Sequence, residues 1–306
     1  MKELVYILGG SGFIGKHLSS YLMQDYQVVV FDQWIDAAFF AKKPLITTHS
    51  MDLIASRIPD EFPVPSFIIN LASPLVTASR EIEFLDRMTA DNLKILLNLY
   101  NRFHDEPRLK LVLQFGSIEE YGSGNAPFSE TQREMPNSTY ALLKQTTTNA
   151  AMMLNRNNNF PVAVLRPGNL FGPGQNKNRF IAYVLDSLIL GVSLEVTSCE
   201  QKRDFLSVHD FSEILKEILL RHKSFVGEIV NVASGNNVAL KDIIAFMQKT
   251  TGSSSKVLYG KLPYRENEIM DQRCSIDKLE KLLVKQLNFD LWQRLREYIE
   301  IEKTSN

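Results

Sequence analysis

Cysteine is nearly absent: Cys199 and Cys274 lie far apart with no Cys-x-x-Cys pair. This excludes a disulfide framework and a thiolate zinc site, and it fits a reducing cytoplasm. The histidines, His17, His49, His104, His209 and His222, form no His-x-x-x-His pair, so no metal is expected and each is read as a surface or core residue. No apolar run approaches the length of a membrane span. The run ahead of Gly9 is too short for a signal peptide. Charge of one sign is also missing. With a formal net charge of -1, nothing draws the whole chain to nucleic acid or to a membrane surface, so any anion site must be built locally. Internal repeats and low-complexity linkers are absent. What is present is an ordinary globular composition, 44% hydrophobic and 23% charged over 306 residues. That is enough chain for a nucleotide-binding domain with a smaller lobe packed on it.

Strand-length apolar runs alternate with amphipathic, helix-length segments through the first half, the pattern of βαβ units on a parallel sheet. The expected strands are 4–8, 27–31, 45–49, 67–71, 109–115 and 162–166, and the expected helices 13–23, 80–103 and 139–155. The fold class is therefore α/β, a Rossmann-type doubly wound parallel sheet. After Arg166 the pattern loosens around Gly172-Pro173-Gly174. Residues 1–170 are read as the dinucleotide-binding domain, and 171–306 as a smaller substrate lobe partly interleaved with the sheet. The Thr146-Thr-Thr148 run and the asparagines at 155–159 are read as helix surface and turn. Phe39-Phe40 and Phe180-Ile181 are read as packing, with Phe180 a candidate for the border of a nucleobase.

Gly9-Gly10-Ser11-Gly12-Phe13-Ile14-Gly15 follows the first strand and opens the first helix. Gly9 permits the tight turn, Gly12 lets the backbone approach a pyrophosphate, and Gly15 allows the helix to pack close to the strand. Helix-terminal N–H groups then face the phosphates. A glycine turn also serves any tight strand-to-helix connection, but Asp32 at the end of the second strand adds a carboxylate suited to a ribose diol and repellent to a 2'-phosphate. NAD is expected in preference to NADP. Tyr140-Ala-Leu-Leu-Lys144 places a phenol and an ammonium on one helix face. A cation beside a phenol favours the phenolate, so Tyr140 is a candidate base, and Ser117 at the end of the fifth strand is placed to hydrogen-bond the same substrate oxygen. Tyr-x-x-x-Lys is weak by itself, since many helices carry it as a solvated face.

Taken in order, Gly9 to Gly15, Asp32, Asp52-Leu53, Asn70-Leu-Ala-Ser73, Phe115-Gly-Ser-Ile-Glu-Glu-Tyr-Gly122, Tyr140 to Lys144, Arg166-Pro-Gly-Asn-Leu-Phe-Gly-Pro-Gly174, Arg203-Asp-Phe-Leu-Ser-Val-His-Asp210 and Gly227 to Gly235 resemble the extended short-chain dehydrogenases, the NAD-dependent epimerase/dehydratase family. The resemblance runs almost end to end. It implies Ser117, Tyr140 and Lys144 as the catalytic triad, with Lys144 also holding the nicotinamide ribose. It implies further cofactor contacts at Phe13, Ile14, Leu71 and Ala72, with Asp52 and Leu53 flanking the adenine. Asn169 resembles the asparagine that meets the substrate diphosphate. Arg203, Arg265 and Arg273 resemble the basic residues that close over the nucleotide, although Arg265 and Arg273 read equally well as surface ion-pair partners. The resemblance also implies a nucleotide diphosphate sugar as substrate, and a homodimer through the helices at 80–103 and 139–155, the second with apolar surface in Ala150, Met152, Met153 and Leu154.

Two departures stand out. Leu287-Asn-Phe289 replaces Leu-Gly-Trp, a packing change. In the catalytic strand the family's dehydratases tend to read Thr-Asp-Glu or Thr-Ser-Glu, whereas this chain reads Ser117-Ile118-Glu119, which keeps the glutamate but not the acid before it. The leading expectation is C4 epimerisation of a nucleotide-sugar through transient oxidation. The alternatives are a 4-keto-sugar reductase, a dehydratase or decarboxylase using Glu119, and an NAD-sensing regulator without chemistry. The complete Ser117, Tyr140 and Lys144 set argues against the regulator.

Overall fold

The near-continuous apolar runs line up side by side in a computed structural model of the chain, which describes residues 2–73, 85–266 and 268–305. Strands β1 (Leu4–Leu8), β2 (Gln27–Asp32), β3 (Ile46–Ser50), β4 (Phe67–Asn70), β5 (Leu111–Phe115) and β6 (Val162–Pro167) occupy the expected places. The short strands β7 (Asn169–Phe171), β8 (Leu194–Glu195), β9 (Lys202–Arg203) and β10 (Phe205–Ser207) follow, then β11 (Ile229–Val232), β12 (Val238–Ala239), β13 (Val257–Leu258) and β14 (Asp271–Gln272). The central sheet has the order β11-β6-β5-β4-β1-β2-β3, and every pairing in it is parallel. Both faces are covered, which is why the inner strands β1, β2, β4 and β5 are near-continuous apolar runs instead of alternating, while the edge strand β3 is mostly polar.

The helices are α1 (Phe13–Leu22), α2 (Ala37–Phe40), α3 (Leu85–Phe103), α4 (Thr139–Asn158), α5 (Phe180–Leu190), α6 (Val208–Leu220), α7 (His222–Phe225), α8 (Leu240–Thr251), α9 (Asp277–Leu283) and α10 (Leu291–Ser305). Residues 80–84 of the expected helix at 80–103 lie outside the described residues. Val5 and Ile7 of β1 face a core completed by Leu18 of α1, Phe211 and Leu215 of α6 and Leu279 of α9. The alternate residues Tyr6 and Leu8 face Ile95 and Leu99 of α3 and Ala151 and Leu154 of α4. A separate core joins α5, α8 and α10 through Leu185, Ile243 and Leu295. Thus β11, α6 and α9, all beyond residue 170, belong to the central sheet and its cover, while α5, α8 and α10 form the smaller body.

Several local expectations change. Leu45 is 66% exposed and precedes β3, and β5 begins at Leu111 instead of Leu109. The asparagines at 155–159 end α4 instead of forming a turn, with Asn159 closing it at φ 55°. Thr147 and Thr148 are buried, so only Thr146 of that run lies toward the surface. On α4, Met152 and Leu154 point into the core, leaving Met153 and Leu142 outward.

The strand order reverses between β1 and β4, because the chain completes β3 on one side and returns to β4 on the other. The loops at their carboxyl ends diverge there, opening the crevice in which such sheets bind ligands. The glycine turn and Leu71-Ala72-Ser73 border that crevice.

Candidate active site

The glycine turn is fixed by close approaches. Gly9 has φ +72°, and a Cβ on it would meet the Ala72 backbone at 2.8 Å, so β1 and β4 are held together where their loops separate. A Cβ on Gly15 would lie 2.4 Å from Gly10, whose own hydrogen side meets Val30. This explains Gly10, to which the sequence reading gave no role. Gly12 differs: a Cβ there would meet only Gly9 O at 3.4 Å. Protein packing does not demand its bare edge, which faces the crevice beside the start of α1, where Gly12 supplies no side-chain cap to the free amides. These features fit a pyrophosphate.

Asp32 ends β2 beside the turn. One carboxylate oxygen accepts the Ser11 N–H at 2.9 Å, and the other accepts the Trp34 N–H at 3.3 Å. Ser11 Oγ accepts the Asp36 N–H, and Asp36 pairs with Lys16 at 2.5 Å. This ion pair, absent from the sequence reading, closes the crevice edge next to Asp32. Asp52 follows β3 and uses one oxygen to cap the N–H groups of Ile54 and Ala55. Leu53 is buried. Phe13 and Ile14 open α1, and the His17 ring bonds Pro173 O at 2.7 Å, tying α1 to the Gly172-Pro173-Gly174 loop.

Tyr140 and Lys144 owe their position to the start of α4. Ser138 caps this helix by accepting the Ala141 N–H at 3.1 Å, a bond whose loss typically costs about 1 kcal/mol. Lys144 is buried and donates to Phe115 O, at the end of β5, over 3.2 Å, with its Nζ 5.7 Å from the centre of the Tyr140 ring. Burial lowers the Lys144 pKa to about 8, against an opposing pull from Glu120. The pKa of Tyr140 is pushed up to about 12, chiefly by burial and then by Glu119, with a hydrogen bond from Ser117 and the Arg179 charge acting in the other direction. Ser117 therefore lies within reach of the phenol.

Ser117 begins a 3-10 turn over Ile118–Tyr121, accepting the Glu119 N–H, while the Glu120 carboxylate accepts the Ser117 N–H at 2.8 Å. The Ser117-x-x-Glu120 spacing is that of a reciprocal cap. Glu119 is open to solvent, yet the surrounding protein raises its pKa by desolvation, with Arg179 and Arg265 opposing. Arg179, just ahead of α5, thus joins the site electrostatically without a sequence signal beyond its charge.

The expected substrate residues come together around the short sheet. Arg203 and Gln272 pair across β9 and β14, and Asn169 donates to Gln272 Oε1 at 3.0 Å and to Asp204 O at 3.1 Å. The Asn169 amide is thereby engaged with the protein. Arg203 is bound to Glu268 and to Ile269 O, and burial lowers its pKa. Arg265 is exposed, and its charge acts on both Glu119 and Arg203. Arg273 has a buried Nε with no hydrogen-bond partner among the described residues. Phe180 stacks with Phe205 at 6.4 Å in the smaller body. Among the described residues, His209, Asp210 and Glu213 cluster on α6, but Arg294 already binds the Asp210 carboxylate through both of its oxygens.

Known proteins share this sequence pattern and fold. A 26% identical relative covering 98% of both chains is CDP-abequose synthase from Salmonella typhimurium. Another, 26% identical over 81% of this chain and 80% of its own, is GDP-6-deoxy-D-mannose reductase from Pseudomonas aeruginosa. UDP-glucuronic acid 4-epimerase from Bacillus cereus, solved with UDP-glucuronic acid and NAD, has the same fold: TM-score 0.89 over 99% of this chain and 100% of that one, at 19% identity. Residues 5–233 match the NAD dependent epimerase/dehydratase family, and the chain belongs to this family of NAD-dependent enzymes.

Proposed function

We propose that the chain oxidises C4 of a nucleoside diphosphate sugar reversibly, with net epimerisation at that carbon. The observation that carries this reading is the meeting of Ser117, Tyr140 and Lys144 at the end of β5. The Gly12 edge and the first amides of α1 hold the pyrophosphate, Asp32 receives the adenosine ribose, Asp52 and Leu53 flank the adenine, and Phe13, Ile14, Leu71 and Ala72 line the crevice. Bound NAD supplies a hydride acceptor at this site. Oxidising an alcohol requires a proton acceptor at its oxygen. Tyr140 fills that role once an added positive charge lowers its pKa, while Ser117 hydrogen-bonds the same oxygen and Lys144 adds charge beside the ring. Epimerisation would then require the keto sugar to present its other face, so that the hydride returns to C4 and Tyr140 returns the proton to the oxygen.

Reduction of a 4-keto sugar is the second reading, favoured by one observation. A phenol pushed to about 12 keeps its proton at neutral pH and is poised to donate it to a carbonyl oxygen. The name of the Pseudomonas relative is consistent with this reading. A C4-deuterated nucleotide-sugar, without added cofactor, separates the two. C4-deuterated epimer is expected; no epimer from that sugar, together with NADH consumed when a 4-keto sugar is supplied instead, would overturn epimerisation in favour of reduction.

Asn169, Arg203, Arg265 and Arg273 are proposed to receive the nucleotide half of the substrate, the guanidinium groups offering paired donors to phosphate. Residues 171–306 would carry that lobe, interleaved with the sheet through β11. We place the enzyme in the cytoplasm, with nucleotide-sugars and no nucleic acid or membrane as partners, as a homodimer through α3 and α4. Leu97, Leu142 and Met153, each more than a third exposed, supply the apolar surface for that pairing.

A further inference from the structure

We propose that Glu120 is a positioning residue, a buried carboxylate that clamps the Ser117 turn to the helix carrying Tyr140 and Lys144. This rests on the reading of those three residues as the proton-transfer group. Glu120 is fully buried and joins three elements. One oxygen accepts the Ser117 N–H at 2.8 Å and the Thr148 hydroxyl at 3.1 Å. The other accepts Arg166 Nε at 3.0 Å and Nη2 at 2.7 Å. Thr148 lies four residues after Lys144, one turn along the same face of α4. The end of β5 and the turn that follows therefore grip α4 at two successive points, Phe115 O to Lys144 and Glu120 to Thr148. Gly116 leaves the room for this: a Cβ there would lie 2.4 Å from the carboxylate.

The clamp is held from beneath. Arg166 is fully buried at the end of β6, its guanidinium 4.6 Å from the centre of the Tyr121 ring, and it also bonds Glu134 at 2.6 Å. Burial alone would lower its pKa, but Glu120, Tyr121 and Glu134 outweigh that and keep it charged. Charged groups thus meet the turn from each side: Arg166 from β6, Lys144 from α4, and Glu119 with Arg179 around Tyr140. The Glu120 charge favours the protonated forms of both Lys144 and Tyr140.

Two variants test the clamp. In Glu120→Gln the shape is kept and the charge lost, so Lys144 should titrate lower by about half a pH unit or more, followed by 15N NMR of lysine-labelled protein with Lys144→Arg identifying the signal. The alkaline limb of kcat should move the same way, with KM for the nucleotide-sugar unchanged. Thr148→Val keeps the charge and the Arg166 pair but releases the helix. It should lower kcat roughly tenfold, within the range for a positioned acid-base group, with no change in the Lys144 titration. The NMR titration needs no substrate, so it stands even if the wild-type protein turns over no nucleotide-sugar, an outcome that would instead count against the proposed reaction. An unmoved Lys144 titration in folded Glu120→Gln, or unchanged kcat in Thr148→Val, overturns the proposal.

Discussion

Tyr140 and Lys144 lie one helical turn apart, and burial moves their pKa values toward neutral forms from opposite directions. Tyr140→Phe removes the hydroxyl without touching the glycine turn, so turnover should fall by roughly two to four decades while calorimetry still finds NAD binding at wild-type affinity. Lys144 supplies charge only while protonated. Its pKa of about 8 means that kcat should be retained below that pH and decline as pH rises through it, visible in a pH profile. Glu119 tests which reaction follows oxidation. If C4 epimerisation is the reaction, Glu119→Gln leaves it largely intact, and no solvent deuterium enters C5, as read by mass spectrometry of the product. Asp32→Ala should narrow the preference for NAD over NADP by roughly tenfold, about one charge-charge interaction at a partly solvated site. Equilibrium binding measures it, and NAD affinity should fall as well, because Asp32 also holds the Ser11 amide.

At the scale of elements, two glycines with left-handed backbones make a contrast. Gly122 has φ +51°, and a Cβ on it would lie 1.7 Å from Met135 O. Gly191 has φ +70° and nothing within 4 Å. Gly191→Ala should cost about 1 kcal/mol, the backbone penalty alone, and Gly122→Ala on the order of 3 kcal/mol or more, because the chain must also move. Urea unfolding at constant m-value reads both. The same local logic explains what the sequence made legible. β1, β2, β4 and β6 were found within one residue at each end because a strand buried on both faces is a continuous apolar run with turn residues at its margins. Tyr140 and Lys144 were found because their spacing is that of one helix turn. Thr147 and Thr148 were misplaced because α4 is buried along a broad face, and a hydroxyl satisfied by Glu120 has no signature in hydropathy. Glu120 has a local partner in Ser117, but its other partners stand 28 and 46 residues away, beyond any local pattern. Beyond Arg166, strands of two or three residues carry no readable period, and they break up the pattern around α5, α6, α8 and α10.

For the whole molecule, pairing through α3 and α4 can be measured directly. Sedimentation at micromolar concentration should give a dimer, and Met153→Glu together with Leu142→Glu should give a monomer, since two charges would be buried in an apolar contact. A dimer unaffected by that double change would place the interface elsewhere. The parallel sheet, for its part, is completed from the second half of the sequence, with β11 pairing with β6 at the edge and α6 and α9 covering one face. A gene divided after codon 170 would yield a first product ending in an unpaired edge strand, with Phe115 and Leu165 stripped of their cover. That product should precipitate when expressed alone and become soluble when the remaining codons are expressed beside it, so the two halves would behave as complementing fragments, each the other's folding partner.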